Sequence, residues 1–170
     1  VVASSRGVLG YSPLDKDTLN FKQIENNIHD FINEQQFKKH KRFSIKDLHI
    51  NNNRIYVSYT EEIKKNCWNM SVLSADFSYS KINFKKLFSP KECIHSMKDN
   101  DNEFNAMQSG GRIISLDNNH IIFSTGEFRS RYLAQNIKSI NGKLIKININ
   151  NSNFKIISSG HRNVQGLLYD

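Results

Sequence analysis

The feature that most constrains this chain is a blurred internal repeat, because a recurring strand pattern restricts the fold to units that stack on one another. Three stretches share one layout: RGVLGYSPLDKDTLNFKQI from Arg6, NMSVLSADFSYSKINFKKLF from Asn69 and NGKLIKININNSNFKIIS from Asn141. Each has a short apolar strand, a polar turn, and a second strand marked by asparagine-phenylalanine: Asn20-Phe21, Asn83-Phe84 and Asn153-Phe154. Between these hairpins lies a second recurring pair. IKDLHINNNRIYVSYTEE and GRIISLDNNHIIFSTGE align Asn52-Asn53 with Asn118-Asn119. Asparagine tolerates positive φ, so both pairs read as tight hairpin turns.

The chain therefore reads as strands c–d, then a–b–c–d, then a–b–c–d, then a. Each unit of roughly 60–70 residues is a four-stranded sheet, the blade of a β-propeller. The expected fold class is all-β: a β-propeller of which this chain holds about two and a half four-stranded blades plus one inserted helix. A general β-sandwich is the alternative. Residues 1–24 are assigned to the outer strands of one blade, 25–40 to the helical insertion, and 43–90 to the second blade. Residues 108–159 form the third blade, and 164–170 the first strand of the next. The helix is expected because Ile24, Ile28, Phe31 and Ile32 fall at i, i+4, i+7 and i+8. So few blades cannot close a ring and would leave strand edges unpaired. The expectation is a section of one longer propeller domain, a processed product or a piece.

The net charge is +8, which makes a nucleic-acid or anionic membrane partner worth weighing. Only Lys38 to Arg42 (KKHKR) is dense, and no nucleic-acid-binding motif accompanies it. That run reads as a solvated basic face, with no nucleic-acid partner expected. No apolar run approaches the length of a membrane span. Two cysteines, Cys67 and Cys93, are too few for a disulfide framework, leaving one disulfide or two reduced thiols open.

The closing segment SGHRNVQGLLYD resembles the signature Gly-His-Arg-Asn-Pro-Gln-Gly-Leu of the soluble quinoprotein glucose dehydrogenases and the glucose/sorbosone (aldose sugar) dehydrogenase family. Val164 stands where the family has proline. SGGRIISLDNNHIIFSTGE and AQNIKSINGKLIKIN resemble the two family segments that precede it, in the same order. The resemblance covers about residues 108 to 170; residues 1–100 match only as blade pattern. It implies a six-bladed propeller that holds pyrroloquinoline quinone (PQQ) on its axis, with calcium nearby. It implies oxidation of a hydroxyl of a small-molecule sugar or similar alcohol, in the periplasm or outside the cell. On the matching positions, Arg162 and Asn163 are the cofactor-binding residues. A guanidinium fork and an amide suit the oxygens of a flat tricarboxylate quinone, and Gly160 and Gly166 relieve crowding around the loop.

The pattern fails at one position. The family's proton-abstracting histidine sits four residues before Arg112, and Gln108 occupies that place. An amide has no useful basicity near neutral pH, so the catalytic base is unknown. His95 and His161 are the candidate substitutes, and His120 is placed in a hairpin turn facing solvent. Glu127 stands at the family's acidic position after the hairpin. Asp99, Asp101 and Glu103 form an acidic loop without calcium-loop spacing, read as solvated. No metal site is expected here; the family's calcium ligands would lie beyond Asp170. The resemblance supports a PQQ-dependent sugar dehydrogenase, and Gln108 supports the alternative of a catalytically silent propeller binding a sugar, another ligand or a protein.

Overall fold

The computed structural model describes residues 1–14, 18–98 and 102–169. In chain order its strands are β1 (Val2–Ala3), β2 (Leu9–Tyr11), β3 (Lys22–Asn26), β4 (Ile45–Asn51), β5 (Arg54–Lys64), β6 (Cys67–Asp76), β7 (Lys81–Ile82), β8 (Lys85–Phe88), β9 (Ile94–His95), β10 (Gly110–Asp117), β11 (His120–Thr125), β12 (Lys143–Asn148) and β13 (Phe154–Ser159). Two short α-helices, α1 (Glu34–Lys39) and α2 (Tyr132–Gln135), interrupt them. The strands form three sheets, ordered β1-β2-β3-β7, β4-β5-β6-β8 with β9 also on β6, and β10-β11-β12-β13. The second and third are antiparallel meanders, the blades that the repeat predicts. In the first sheet, β7 reaches across from the second repeat to pair in parallel with β3.

Strict alternation in β5 explains how the sheets stack. Ile55, Val57 and Tyr59 point into a core shared with Leu9, Ile24, Ile28 and Ile32 from the first sheet and its insertion. Tyr56, one residue out of phase, enters a second core with Ile113, Phe123, Ile145 and Ile147 from the third sheet. Strand β6 does the same, with Leu73 on one side and Met70 and Val72 on the other. A strand of period two thus buries both its faces because a sheet covers each.

The two asparagine hairpins that align in sequence turn by different means. Asn52 and Asn53 have φ of 46° and 57°, as the tight turn requires. In the second hairpin the Asp117 carboxylate accepts from the Asn119 backbone N–H at 2.7 Å, and no positive φ is used. The amide of Asn52 donates to Asn118 at 2.8 Å, tying the two turns together across neighbouring sheets.

Two expectations are corrected. The insertion is not one helix over 25–40: Glu25 and Asn26 still belong to β3, a single 3₁₀ turn covers Ile28–Asp30, and only Glu34–Lys39 is α-helical. Asparagines break the run, since Asn26 accepts from the Ile28 N–H and Asn33 caps the Gln36 N–H. Ile24, Ile28 and Ile32 nonetheless share one buried face. The first strand expected at 164–170 is also absent over the described residues 164–169. A strand exists by pairing, and no strand of this chain lies beside that segment among the described residues.

Cys67 and Cys93 form a disulfide, with Cα atoms 5.3 Å apart. It pins β9 against the start of β6, where Cys67 faces His95. Beside it, Trp68 stacks on Phe43 at 3.6 Å between ring centres. The bridge closes a loop of 26 residues in sequence separation. Removing both sulfurs as Cys67→Ser/Cys93→Ser should cost about 2–4 kcal/mol, read as a lower midpoint in urea unfolding, and reduction of the native chain should reproduce the loss.

Candidate functional site

Three chain segments meet at one edge of the third sheet: the approach to β10, the exit of β11, and the segment after β13. Their contact depends on Gly126, which follows β11. A Cβ there would fall 2.5 Å from the carbonyl carbon of Ser109 and also strike the Gln108 carbonyl. Without one, Gly126 N–H donates to the Ser109 carbonyl at 2.7 Å and Phe128 N–H to the Gln108 carbonyl at 2.8 Å. Gly142 (φ +68°) serves the third segment in the same way, because His161 N–H reaches its carbonyl at 3.1 Å.

These contacts bring the residues singled out in the sequence together. Arg162 Nε donates to Gln108 Oε1 at 3.2 Å and lies 3.8 Å from Glu127 Oε1. Glu127 is fully buried, whereas the Arg162 side chain is 57% exposed. Asn163 Oδ1 accepts from Gly110 N–H at 3.0 Å and from the Gln165 amide at 2.8 Å. Its carbonyl oxygen is therefore spent on the fold, and its amide N–H groups remain for other partners. The terminal guanidinium nitrogens of Arg162 likewise have no protein partner among the described residues. Two sets of donors are thus offered at one edge, which fits a ligand rich in carbonyl and carboxylate oxygens.

The backbone beside them is strained. Phe128 and Arg129 have φ of +50° and +75°, a region that side chains with a Cβ enter at a cost of about 1–3 kcal/mol. The Phe128 ring holds the turn by stacking on Phe104 at 5.6 Å, and Glu127 Oε1 accepts from Arg129 N–H at 3.1 Å. Behind the site, Lys143 is completely buried and its Nζ donates to the carbonyls of Leu133, Ala134 and Asn141 at 2.7–2.9 Å. Burial pushes its pKa down. The Ala134 carbonyl also accepts from Gly160 N–H at 3.0 Å, so this amine anchors the loop that carries Arg162.

The other sequence candidates lie elsewhere. His95 sits on β9 opposite Cys67, and its ring nitrogen accepts from Met97 N–H. His161 is near the site, but its ring is hydrogen-bonded to Ser158 Oγ at 2.8 Å, back on the preceding strand β13. His120 does not simply face solvent: it is held between Asp117 and Asn148. Glu103 pairs with Arg131 at 2.6 Å, while Asp99 and Asp101 lie outside the described residues. Among the described residues no group of three histidine, cysteine or acidic side chains could hold a metal.

Sequence reasoning missed the neighbours contributed by the second sheet. Asp47 pairs with Arg112 at 3.3 Å and accepts from Ile113 N–H at 2.9 Å, locking β4 to β10. Lys46 turns inward, donating to the Arg42 carbonyl at 2.6 Å and toward that of Ala106 at 3.4 Å. Burial, and then the nearby Arg42 charge, bring its pKa down to about 8. The available signal was the break in β4 alternation, where Lys46 and Asp47 are two charged residues in succession between Ile45 and Leu48.

Residues 44–170 match the family described as Glucose / Sorbosone dehydrogenase. No curated protein matches the sequence. Among solved structures, the PQQ-bound form of aldose sugar dehydrogenase from Streptomyces coelicolor aligns at TM-score 0.63 and 18% identity, covering 96% of this chain and 50% of that one. A putative oxidoreductase (glucose dehydrogenase) from Thermus thermophilus aligns at 0.59 and 17%, covering 94% and 50%. The soluble aldose sugar dehydrogenase of Escherichia coli, in its apo form, aligns at 0.51 and 23%, covering 66% and 35%. The chain spans half or less of the length of these structures. Likeness at such identity establishes the fold, a section of a β-propeller.

Two outcomes follow from this geometry. Gly126→Ala should destabilise the chain by about 1–3 kcal/mol and weaken any ligand held at Arg162, because the added methyl must push Gln108 away; thermal unfolding and ligand titration measure both. Below pH 8 the folded chain carries the full cost of burying a charged Lys46. Between pH 8 and about 10.4, the unfolded amine keeps its proton while the folded one has lost it, so stability should rise with pH. In Lys46→Met that increment should vanish from urea unfolding curves taken across this window.

Proposed function

Because the chain belongs to the glucose/sorbosone dehydrogenase family, we propose that it takes part in PQQ-dependent oxidation of a sugar hydroxyl, with Arg162 and Asn163 holding the quinone. The supporting observation is the meeting of Arg162, Asn163 and Gln108 at one edge, with donor atoms left over on the first two. PQQ, when bound, supplies the acceptor for the hydride. Arg162 would hold the quinone through its oxygens, and its fixed positive charge would favour the reduced, more negative form. Glu127, 3.8 Å from Arg162 Nε, and Gln108 fix the direction of that guanidinium. Gly110 N–H holds the Asn163 carbonyl oxygen, which leaves the amide N–H groups of Asn163 to donate to the same ligand in this reading. The substrate is a small sugar or similar alcohol, and calcium is expected to come from ligands outside these residues. The Cys67–Cys93 bridge supports a periplasmic or secreted location, where such bonds persist.

A second reading is favoured by Gln108 itself. Its carbonyl oxygen is engaged by Arg162, and an amide takes up no proton, so the sugar hydroxyl has no base at this position. A propeller that binds its ligand without turnover satisfies the same geometry. Titration of the protein with PQQ and calcium, followed by aldose-dependent dye reduction, separates the two. The first reading expects quinone absorbance and turnover, the second quinone binding alone, and absence of binding defeats both. Arg162→Ala should weaken quinone binding about tenfold or more, the loss of one charge-assisted pair. Gln108→His should raise aldose-dependent turnover by about 10²-fold or more, the contribution of a positioned base.

A further inference from the structure

Next to the loop that carries Asn163 lies a second feature that the family reading does not use. A cavity of about 280 Å³ opens between the starts of β4 and β10. Three cations line it, Arg42, Lys46 and Arg112, together with Ser44, Ser109 and Gln165. No carboxylate appears in its lining among the described residues. Arg112 is partly neutralised by Asp47, but among the described residues neither Arg42 nor Lys46 has an acidic partner. Their charges oppose each other closely enough for Arg42 to depress the Lys46 pKa.

Holding two cations together, one of them half-buried, is costly unless an anion joins them. Lys46 has three donors, and backbone carbonyls take no more than two, leaving one for the cavity. The volume lies at the small end of ligand pockets, about 300–1,000 Å³, and so suits one monosaccharide-sized group. Serine hydroxyls and the Gln165 amide provide uncharged hydrogen-bonding groups beside the charges. The cavity also adjoins the proposed quinone-holding loop: Gln165 bonds Asn163, its own carbonyl accepts from Arg112 at 2.7 Å, and Gly110 in the wall donates to Asn163.

We propose that this cavity binds the carboxylate of an acidic sugar, a uronic or aldonic acid, so that the substrate is anionic rather than a neutral aldose. This specificity assignment rests on the sugar-oxidising reading above. Arg42 and Lys46 receive the carboxylate, the hydroxyl and amide groups receive the sugar's hydroxyls, and the opposite end of the sugar is left toward Arg162. A carboxylate could equally arrive on PQQ itself, and the experiment distinguishes the two sources.

Calorimetric titration of the protein with glucuronate, glucose and sodium sulfate, each without quinone, tests the binding site directly. Glucuronate should bind about tenfold or more tightly than glucose, through its charge-assisted pair, and more tightly than sulfate, because Ser44, Ser109 and Gln165 receive the sugar hydroxyls that sulfate lacks. Arg42→Gln, a change at an exposed residue, should remove most of that preference while leaving PQQ binding unaltered; Lys46→Met should do the same if it remains folded by circular dichroism. Equal binding of glucuronate and glucose would overturn the proposal, as would sulfate binding as well as glucuronate. Displacement of glucuronate by PQQ in direct competition would assign the cavity to the cofactor and also overturn it. Failure of PQQ to bind at all defeats the functional reading, but leaves the glucuronate preference to be judged by its own titration.

Discussion

Burial of the middle sheet on both faces is the constraint from which the remaining structure follows. Strand β5 sends Ile55, Val57 and Tyr59 one way and Tyr56 the other, and β6 divides Leu73 from Met70 and Val72 in the same manner. Neither face could remain in water, since each fully buried side chain of this size contributes about 1.5–3 kcal/mol. The neighbouring sheets are therefore drawn face to face, and the ends of their inner strands, β4 and β10, are brought side by side. The approach to β10 is thereby set beside the exit of β11 and the segment after β13, where Gln108, Glu127 and Arg162 meet.

Close approach of backbones then replaces side-chain packing as the organising force. Gly126 and Gly142 let the ends of β11 and β12 meet the segments 108–110 and 160–163 through main-chain hydrogen bonds. The buried amine of Lys143 donates to three carbonyls around α2, two of which also accept backbone N–H groups, so its charge is spread over a shared set of acceptors. Loops built in this way are held from behind, so the exposed guanidinium of Arg162 is positioned by Gln108 and Glu127 rather than by its own burial. The strained turn at Phe128 and Arg129 is tolerated because Phe104 and Glu127 fix it on either side.

Charge is distributed unevenly across this edge. Acidic groups are committed to particular partners: Asp47 to Arg112, Glu103 to Arg131, and Glu61, across the second sheet, to Lys86, Ser71 and Ser89. Arg42 and Lys46 are left facing a cavity without that compensation. The excess positive charge of the chain is spread over its surface, but its local effect is greatest where the low-dielectric walls of two sheets enclose it.

The sequence by itself determined the strand-and-turn rhythm, the presence of stacked four-stranded sheets, and the positions Gln108, Arg162 and Asn163. Those features are local: side chains alternate with period two in any strand, and turns at Asn52-Asn53 or around Gly160 depend on the residues that form them. Tertiary structure alone decided that Lys46 reaches toward Ala106 while Lys38 and Lys39 stay exposed, and that Cys67 reaches Cys93. It also set His95 opposite Cys67 on β6, and added Arg112, Asp47 and Lys143 to the supporting network. The physical reason is that burial, the available carbonyl and carboxylate partners, and the pKa of an amine are properties of what another sheet brings alongside, at sequence separations where no periodicity survives.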